Sequence, residues 1–298
     1  MTDENPQFIS IHTLTNRFEG DMLLNALQQE EIPVMLRSFE ETPYDGLFVS
    51  QRGWGWVMVP EEYAPRAREI IKPLLEGSPT KRLYAEPSEV DPLLWERLRN
   101  ADPAAISRSA QVRFDAQAGG AGAYIVPFLN AELLCFPDRE SIELLNPSPD
   151  RDYYKLDFGL YLATLHYLLE AQAGAGGLVG RWISEKDIPG GQLFFRGHHA
   201  FQTEPLLELL GARLDVFRAA AQRLGGTPVN MGDAAFRLWA FPLVPVLFVL
   251  WEGDDEFQPD IHIRFDAGIN LHLRTLDVIW ALVNVTCRCL QVAGKSLL

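Results

Sequence analysis

The run Val244-Pro245-Val246-Leu247-Phe248-Val249-Leu250, followed at once by Trp251-Glu252-Gly253-Asp254-Asp255-Glu256-Phe257, decides how this chain is read. The first half is apolar at every position, so it belongs inside a sheet, as a strand without a wet side. The second half places four carboxylates directly after that strand ends. Polar groups on a loop at the tip of a rigid strand are a common setting for a binding site. A strand is therefore expected at 244–251, and a candidate site at its end.

Working outward, strands are expected at 234–240 and 261–266. The latter alternates: Ile261, Ile263 and Phe265 face one way, His262, Arg264 and Asp266 the other. Leu206, Leu207, Leu210, Leu214, Phe217, Ala221 and Leu224 recur at spacings of three and four, which predicts one helix over 204–224, stopped by Gly225-Gly226. A last helix is expected at about 276–292. Upstream, Asp91-Pro92 opens a short capped helix. Residues 124–129 and 132–136 form a hairpin around Asn130, and a helix runs over 153–171. Strands in meander order between helices indicate α+β, not a doubly wound parallel sheet.

Residues 7–76 read as a separate small domain of order β-α-β-β-β-α, close to a ferredoxin-like layout. Its helices are expected at 17–31 and 61–75. A strand pair, 47–49 and 56–59, is expected around Arg52-Gly53. Trp54 and Trp56 flank Gly55 there, one of them a candidate partner patch. Turn-forming residues over 77–90 read as a linker. The organisation is a small domain at 1–76, a linker at 77–90 and a larger antiparallel-sheet domain with packed helices at 91–298.

A chain of 298 residues with 47% hydrophobic and 22% charged residues can bury a real core. The formal net charge of -14, with scattered Lys and Arg, argues against nucleic acid and against an anionic membrane surface. The N-terminus lacks the basic and apolar segments of a secretory signal, and the run 238–251 is too short and proline-broken to span a bilayer. The expectation is a cytoplasmic protein. Three cysteines, Cys135, Cys287 and Cys289, give no disulfide framework.

The chemistry-bearing candidates are few. Asp254, Asp255 and Glu256 read first as a solvated acidic loop joining two strands; they would otherwise pair with Arg196 or Arg264, or raise one another's pKa or neutralise a divalent cation. In Arg196-Gly197-His198-His199 the glycine suits a tight turn that presents Arg196 to an anion. Either His198 or His199, with Asp254 and Asp255, could supply three metal ligands if the fold gathers them. Asp233, Trp251, Glu252, Arg264 and Asp266 complete the candidate ligand-binding set. Pro189-Gly190-Gly191 lacks the ending of a phosphate loop. No GxSxG elbow and no HExxH helix occurs, so no catalytic residue is assigned.

Two resemblances follow from motifs. Thr15-Asn16, the segment 23–27, Glu31-Ile32-Pro33 and Val59-Pro60-Glu61-Glu62-Tyr63-Ala64 resemble a family of small bacterial signal-transducing domains (DUF2007). Pro189-Gly190-Gly191-Gln192-Leu193-Phe194-Phe195-Arg196-Gly197-His198-His199, Gly232-Asp233, Phe241-Pro242-Leu243-Val244-Pro245, the acidic loop and Arg264-Phe265-Asp266 resemble, over residues 91–292, a prokaryotic domain of unknown function (DUF3786). Some relatives in that family carry a cysteine-rich iron–sulfur segment. This chain has the small domain in its place, so no iron–sulfur cluster is expected.

The reading is a two-domain α+β protein with a non-catalytic ligand-binding, sensory or accessory role. Its expected partner is a protein or a small molecule. One alternative is a divalent-metal hydrolase using the 252–256 loop with His198 or His199. Another is a structural subunit of a larger complex.

Overall fold

The computed structural model describes residues 8–14, 23–24, 26–28, 30, 32–38, 55–76, 86–147, 153–172, 174, 177–253 and 257–298, without the side chains of 73–76 and 198. The fold is α+β. The chain divides into two compact units, Met1–Arg82 and Leu83–Leu298.

In the first unit, β1 (Phe8–Leu14), β2 (Met35–Ser38) and β3 (Gly55–Pro60) form an antiparallel sheet in the order β1-β3-β2. Helix α1 (Ala64–Glu76) contacts β1 and β3. Leu14, Val57, Val59, Ala67 and Ile71 make a core with Leu23 and Leu27. Of the helix expected at 17–31, residues 23, 24 and 26–28 are helical. The strand expected at 47–49, the turn at Arg52-Gly53 and Trp54 lie outside the described residues; Trp56 is half-buried in β3.

The second unit begins with α2 (Pro92–Asn100) and α3 (Pro103–Ala110). Asp91 and Asp102 cap them, each accepting an N–H two residues on, with proline at the first helical position. A four-stranded meander follows: β4 (Arg113–Asp115), β5 (Ala123–Phe128), β6 (Ala131–Phe136) and β7 (Ser141–Leu144). Helix α4 (Phe158–Glu170) leads to the two-residue β8 (Trp182–Ile183). Then come α5 (Glu204–Leu210), α6 (Leu214–Arg223), β9 (Thr227–Pro228), β10 (Ala234–Phe241), β11 (Val244–Trp251), β12 (Asp260–Asp266) and α7 (Leu276–Lys295).

The second sheet has the order β8-β12-β11-β10-β9, antiparallel throughout, with β11 in the middle. Val244 to Leu250 are buried at every position. Phe236, Phe248 and Ile263 lie side by side across three strands and join the main core. On the opposite face, Leu247 sits between Arg237 and Arg264 in one cross-strand row. It forms a small second cluster with Ala235 and Val249, backed by Trp182. Long arginine stems shield such a position without a covering helix.

Helix α7 is buried on nearly all sides and packs on α4, α5 and α6. By length and composition it could cross a membrane, yet 72% of its most apolar window is buried inside the unit. A helix apolar all round is the core helix of such a fold.

Two expected helices are corrected. The helix expected at 153–171 starts at Phe158, because Asp157 caps it and accepts from Leu160 N. The helix expected at 204–224 is two helices. A Cβ on Gly211 would stand 2.6 Å from the Leu207 carbonyl and 2.9 Å from Pro259. The helical path breaks two residues on, at Arg213 (φ -137°, ψ 67°), and the missing Cβ of Gly211 lets the β11–β12 connection approach, a contact that periodicity within the segment cannot announce.

Asp157 also meets Arg288 of α7, whose Nη1 lies 2.6 Å from Oδ2; the carboxylate is 2% exposed and the guanidinium 19%. The contact is an ion pair rather than a well-directed hydrogen bond, and Arg288 Nε and Nη2 are buried without a partner among the described residues. Removing one member of such a pair strands a buried charge. Arg288→Met is expected to cost about 3 kcal/mol in urea unfolding, and Asp157→Ser combined with Arg288→Met to recover most of it, since serine keeps the cap.

Candidate functional site

A groove of about 430 Å³ runs along the outer side of β12. Ile261, His262, Ile263 and Arg264 form its floor; Ser184, Glu185 and Lys186 form one wall, and Phe195, Ala200, Phe201 and Thr203 the other.

The aromatic wall is fixed from beneath. Phe195 and Phe201 pack with centroids 4.8 Å apart, and Phe201 lies 6.0 Å from Phe265. Helix α7 holds the backbone here: Trp280 Nε1 donates to the Ala200 carbonyl (3.1 Å), and Gln202 N donates to Asn284 Oδ1 (2.9 Å). The polar wall is a 3-10 turn, Glu185–Asp187. Asp187 Oδ2 accepts from Ser184 N (2.8 Å) and Ser184 Oγ (2.7 Å), a capping box. The Ser184 side-chain bond, then its backbone bond, holds the Asp187 carboxyl below its ordinary range.

Along β12, Asp260, His262 and Arg264 form a polar chain. Asp260 Oδ2 lies 2.8 Å from His262 Nε2, and Arg264 Nη2 lies 3.4 Å from His262 Nδ1. One ring nitrogen of His262 thus faces a carboxylate and the other a guanidinium. Arg264 Nη1 also donates to the Ile263 carbonyl at 3.0 Å. A carboxylate and a histidine in sequence invite comparison with a hydrolytic triad, but the third member here is a cation. Two hydroxyls line the groove, those of Ser184 and Thr203, and Ser184 Oγ is committed to Asp187. The arrangement suits binding an anionic or carbonyl group better than activating a nucleophile.

The residues expected from the sequence fall in different places. Arg264 lines the groove. Asp266 does not: it is buried, and its carboxylate accepts from Val179 N, Gly180 N and Gly268 N, tying the preceding loop to the sheet. Asp233 Oδ2 accepts from Glu252 N, and Asp233 N donates to Leu250 O, so these two residues fasten the end of β11. Trp251 and Glu252 are exposed beside them. Arg196 is exposed and outside the groove lining. His199 packs its ring on Phe194 and Trp280, at 4.3 Å and 5.5 Å. Asp254, Asp255, Glu256 and the His198 side chain lie outside the described residues. Among the described residues no group of three His, Cys, Asp or Glu is placed to hold a metal.

The sequence reading missed the polar wall. Its signal was present: Ser184-Glu185-Lys186-Asp187 carries the spacing of a capping box directly after a short apolar pair. Loss of this box with acid has a definite sign. A depressed carboxyl contributes stability above its unfolded pKa, about 3.9, and loses it as pH falls through the lower folded value. An NMR titration of the Asp187 carboxyl carbon is expected to give a midpoint below about 3.9, and Ser184→Ala to move it upward.

The cysteines offer no nucleophile. All three are buried thiols; burial pushes Cys135 up, and Cys287 and Cys289 to about 12. A disulfide exchange reagent at neutral pH is expected to modify none of them in the native protein and all three after denaturation.

No curated protein and no solved structure matches the chain. Residues 102–289 match the family described as Domain of unknown function (DUF3786), a span covering most of the second unit, including the groove and both of its walls. The chain belongs to the DUF3786 family.

Proposed function

We propose that this is a non-catalytic binding protein, sensory or accessory in role. Its second unit takes a ligand in the groove beside β12. Its first unit, ferredoxin-like in layout and similar to bacterial signal-transducing domains, contacts a protein partner. The observation that carries the reading is the lining of the groove, which joins Arg264 and Lys186 with the aromatic side chains of Phe195 and Phe201. The histidine there is held between a carboxylate and a guanidinium rather than beside a nucleophile. A few oriented polar groups on an apolar surface are the usual make-up of a ligand site. The acidic net charge and the absence of a basic cluster in the sequence fit a soluble cytoplasmic setting without nucleic acid.

The test is a panel of small carboxylates, nucleotides and short peptides, offered with and without magnesium, manganese and zinc. The expected result is thermal stabilisation without turnover, equivalent to about 2.7 kcal/mol at a hundredfold excess over Kd, and its loss in Arg264→Gln. Metal-dependent turnover of any panel member, abolished by Asp254→Asn, would transfer the assignment to a divalent-metal hydrolase.

A further inference from the structure

The direction of each backbone group on β12 can be read from its neighbours. Ala267 N donates to the Arg181 carbonyl at 2.9 Å, on the side away from β11. Alternation along a strand then points the N–H and C=O of Phe265, Ile263 and Ile261 to that same outer edge. His262 and Arg264 point inward, opposite Val249 and Leu247. The other side of β11 agrees: Asp233 N donates to the Leu250 carbonyl, so the even-numbered residues of β11 face β10.

Strand β8 covers this outer edge only opposite Phe265 and Asp266. Continued in register, it would bring Glu185 opposite Ile263. It leaves instead at Ser184, where Asp187 takes the Ser184 N–H and hydroxyl. The Glu185 carbonyl then packs where Gly191 has no Cβ. The backbone groups of Ile261 and the N–H of Ile263 are left without a strand partner among the described residues. The Ile263 carbonyl is taken by the Arg264 guanidinium.

We propose that an extended, acidic peptide segment of a partner protein adds to β12 as a strand, in the place β8 vacates. This rests on the groove reading given above. Strand addition uses the main-chain groups of an exposed edge for affinity and side-chain pockets for choice. The edge lies at the bottom of the groove, with Ile261 and Ile263 only 5% and 3% exposed, between a polar and an aromatic wall. A recessed edge of this kind suits a lone extended segment better than the edge of a folded sheet. The lining carries Lys186 and Arg264 against Glu185, while the adjoining carboxylates of Asp187 and Asp260 are turned to Ser184 and His262, so the charge that faces the groove is cationic on a chain of net charge -14. Arg264 holds the acceptor that the incoming N–H needs. On binding, its guanidinium moves from the Ile263 carbonyl to a carboxylate of the peptide.

The experiment uses the full chain and an array of short labelled peptides alternating valine, isoleucine or threonine with glutamate, aspartate or lysine. Acidic members are expected to bind about tenfold more tightly than their lysine counterparts, a preference that Arg264→Gln removes. N-methylation at one alternate set of peptide nitrogens is expected to weaken binding about tenfold, and at the other set by less than about twofold. Equal effects in both registers, with the NMR signals of Phe201 and His262 still shifted, overturn strand addition while the groove reading survives. A set of peptides that fails to bind, while small molecules shift those signals, overturns it likewise. If neither peptides nor small molecules shift them, both readings fail. Dimerisation that the peptides do not dissociate replaces the partner segment with a second copy and overturns the proposal.

Discussion

The second unit depends on one constraint: β11 has no polar position from Val244 to Leu250, so each of its sides must be covered. One face is met by the main core, through Val244, Val246, Phe248 and Leu250. Burying a side chain of this kind is worth roughly 1.5–3 kcal/mol, so exposing several together would exceed the stability of an ordinary domain. The edges of β11 are met by β10 and β12. Satisfying β11 thus fixes β12 one place from the border of the sheet. There the thin cover of β8 leaves a groove.

The same constraint separates the polar groups into two places. Asp233 and Glu252 lie at the end of β11 and fasten it, whereas the groove lies along β12 and takes its walls from residues 184–186 and 195–203. Their roles differ accordingly. The carboxylates of Asp233 and Asp266 are spent on backbone N–H groups, as buried or chain-terminating polar groups generally are. Arg264 and Lys186 keep donors at the surface of a cavity, where a ligand can reach them.

Much of the fold was legible, because strong periodicity reports burial directly. The strand at 244–251 and the alternation of Ile261, Ile263 and Phe265 appear in the structure as read, as does the last helix from Leu276. The break at Arg213 was not legible, since the apolar periodicity runs straight through it and the packing of Gly211 on Pro259 joins residues distant in sequence. The late start of α4 followed from a cap, Asp157, that a run of aromatic residues concealed. The groove was half legible. Arg264 and the segment after Phe195 are legible as polar and turn-forming candidates, whereas Asp254, Asp255 and Glu256 of the acidic cluster lie outside the described residues. An open sheet edge leaves no mark in composition; it arises from where a neighbouring strand stops. That stop is written in Ser184 and Asp187.

The central claim is that alternate backbone groups of β12 face an open edge. Amide hydrogen exchange of the ligand-free protein, resolved residue by residue, tests it most directly. The account predicts a sawtooth along one strand, with His262 and Arg264 strongly protected and Ile261 and Ile263 exchanging much faster. Uniform protection through all four amides would mean that another segment already occupies the edge, and would contradict the account.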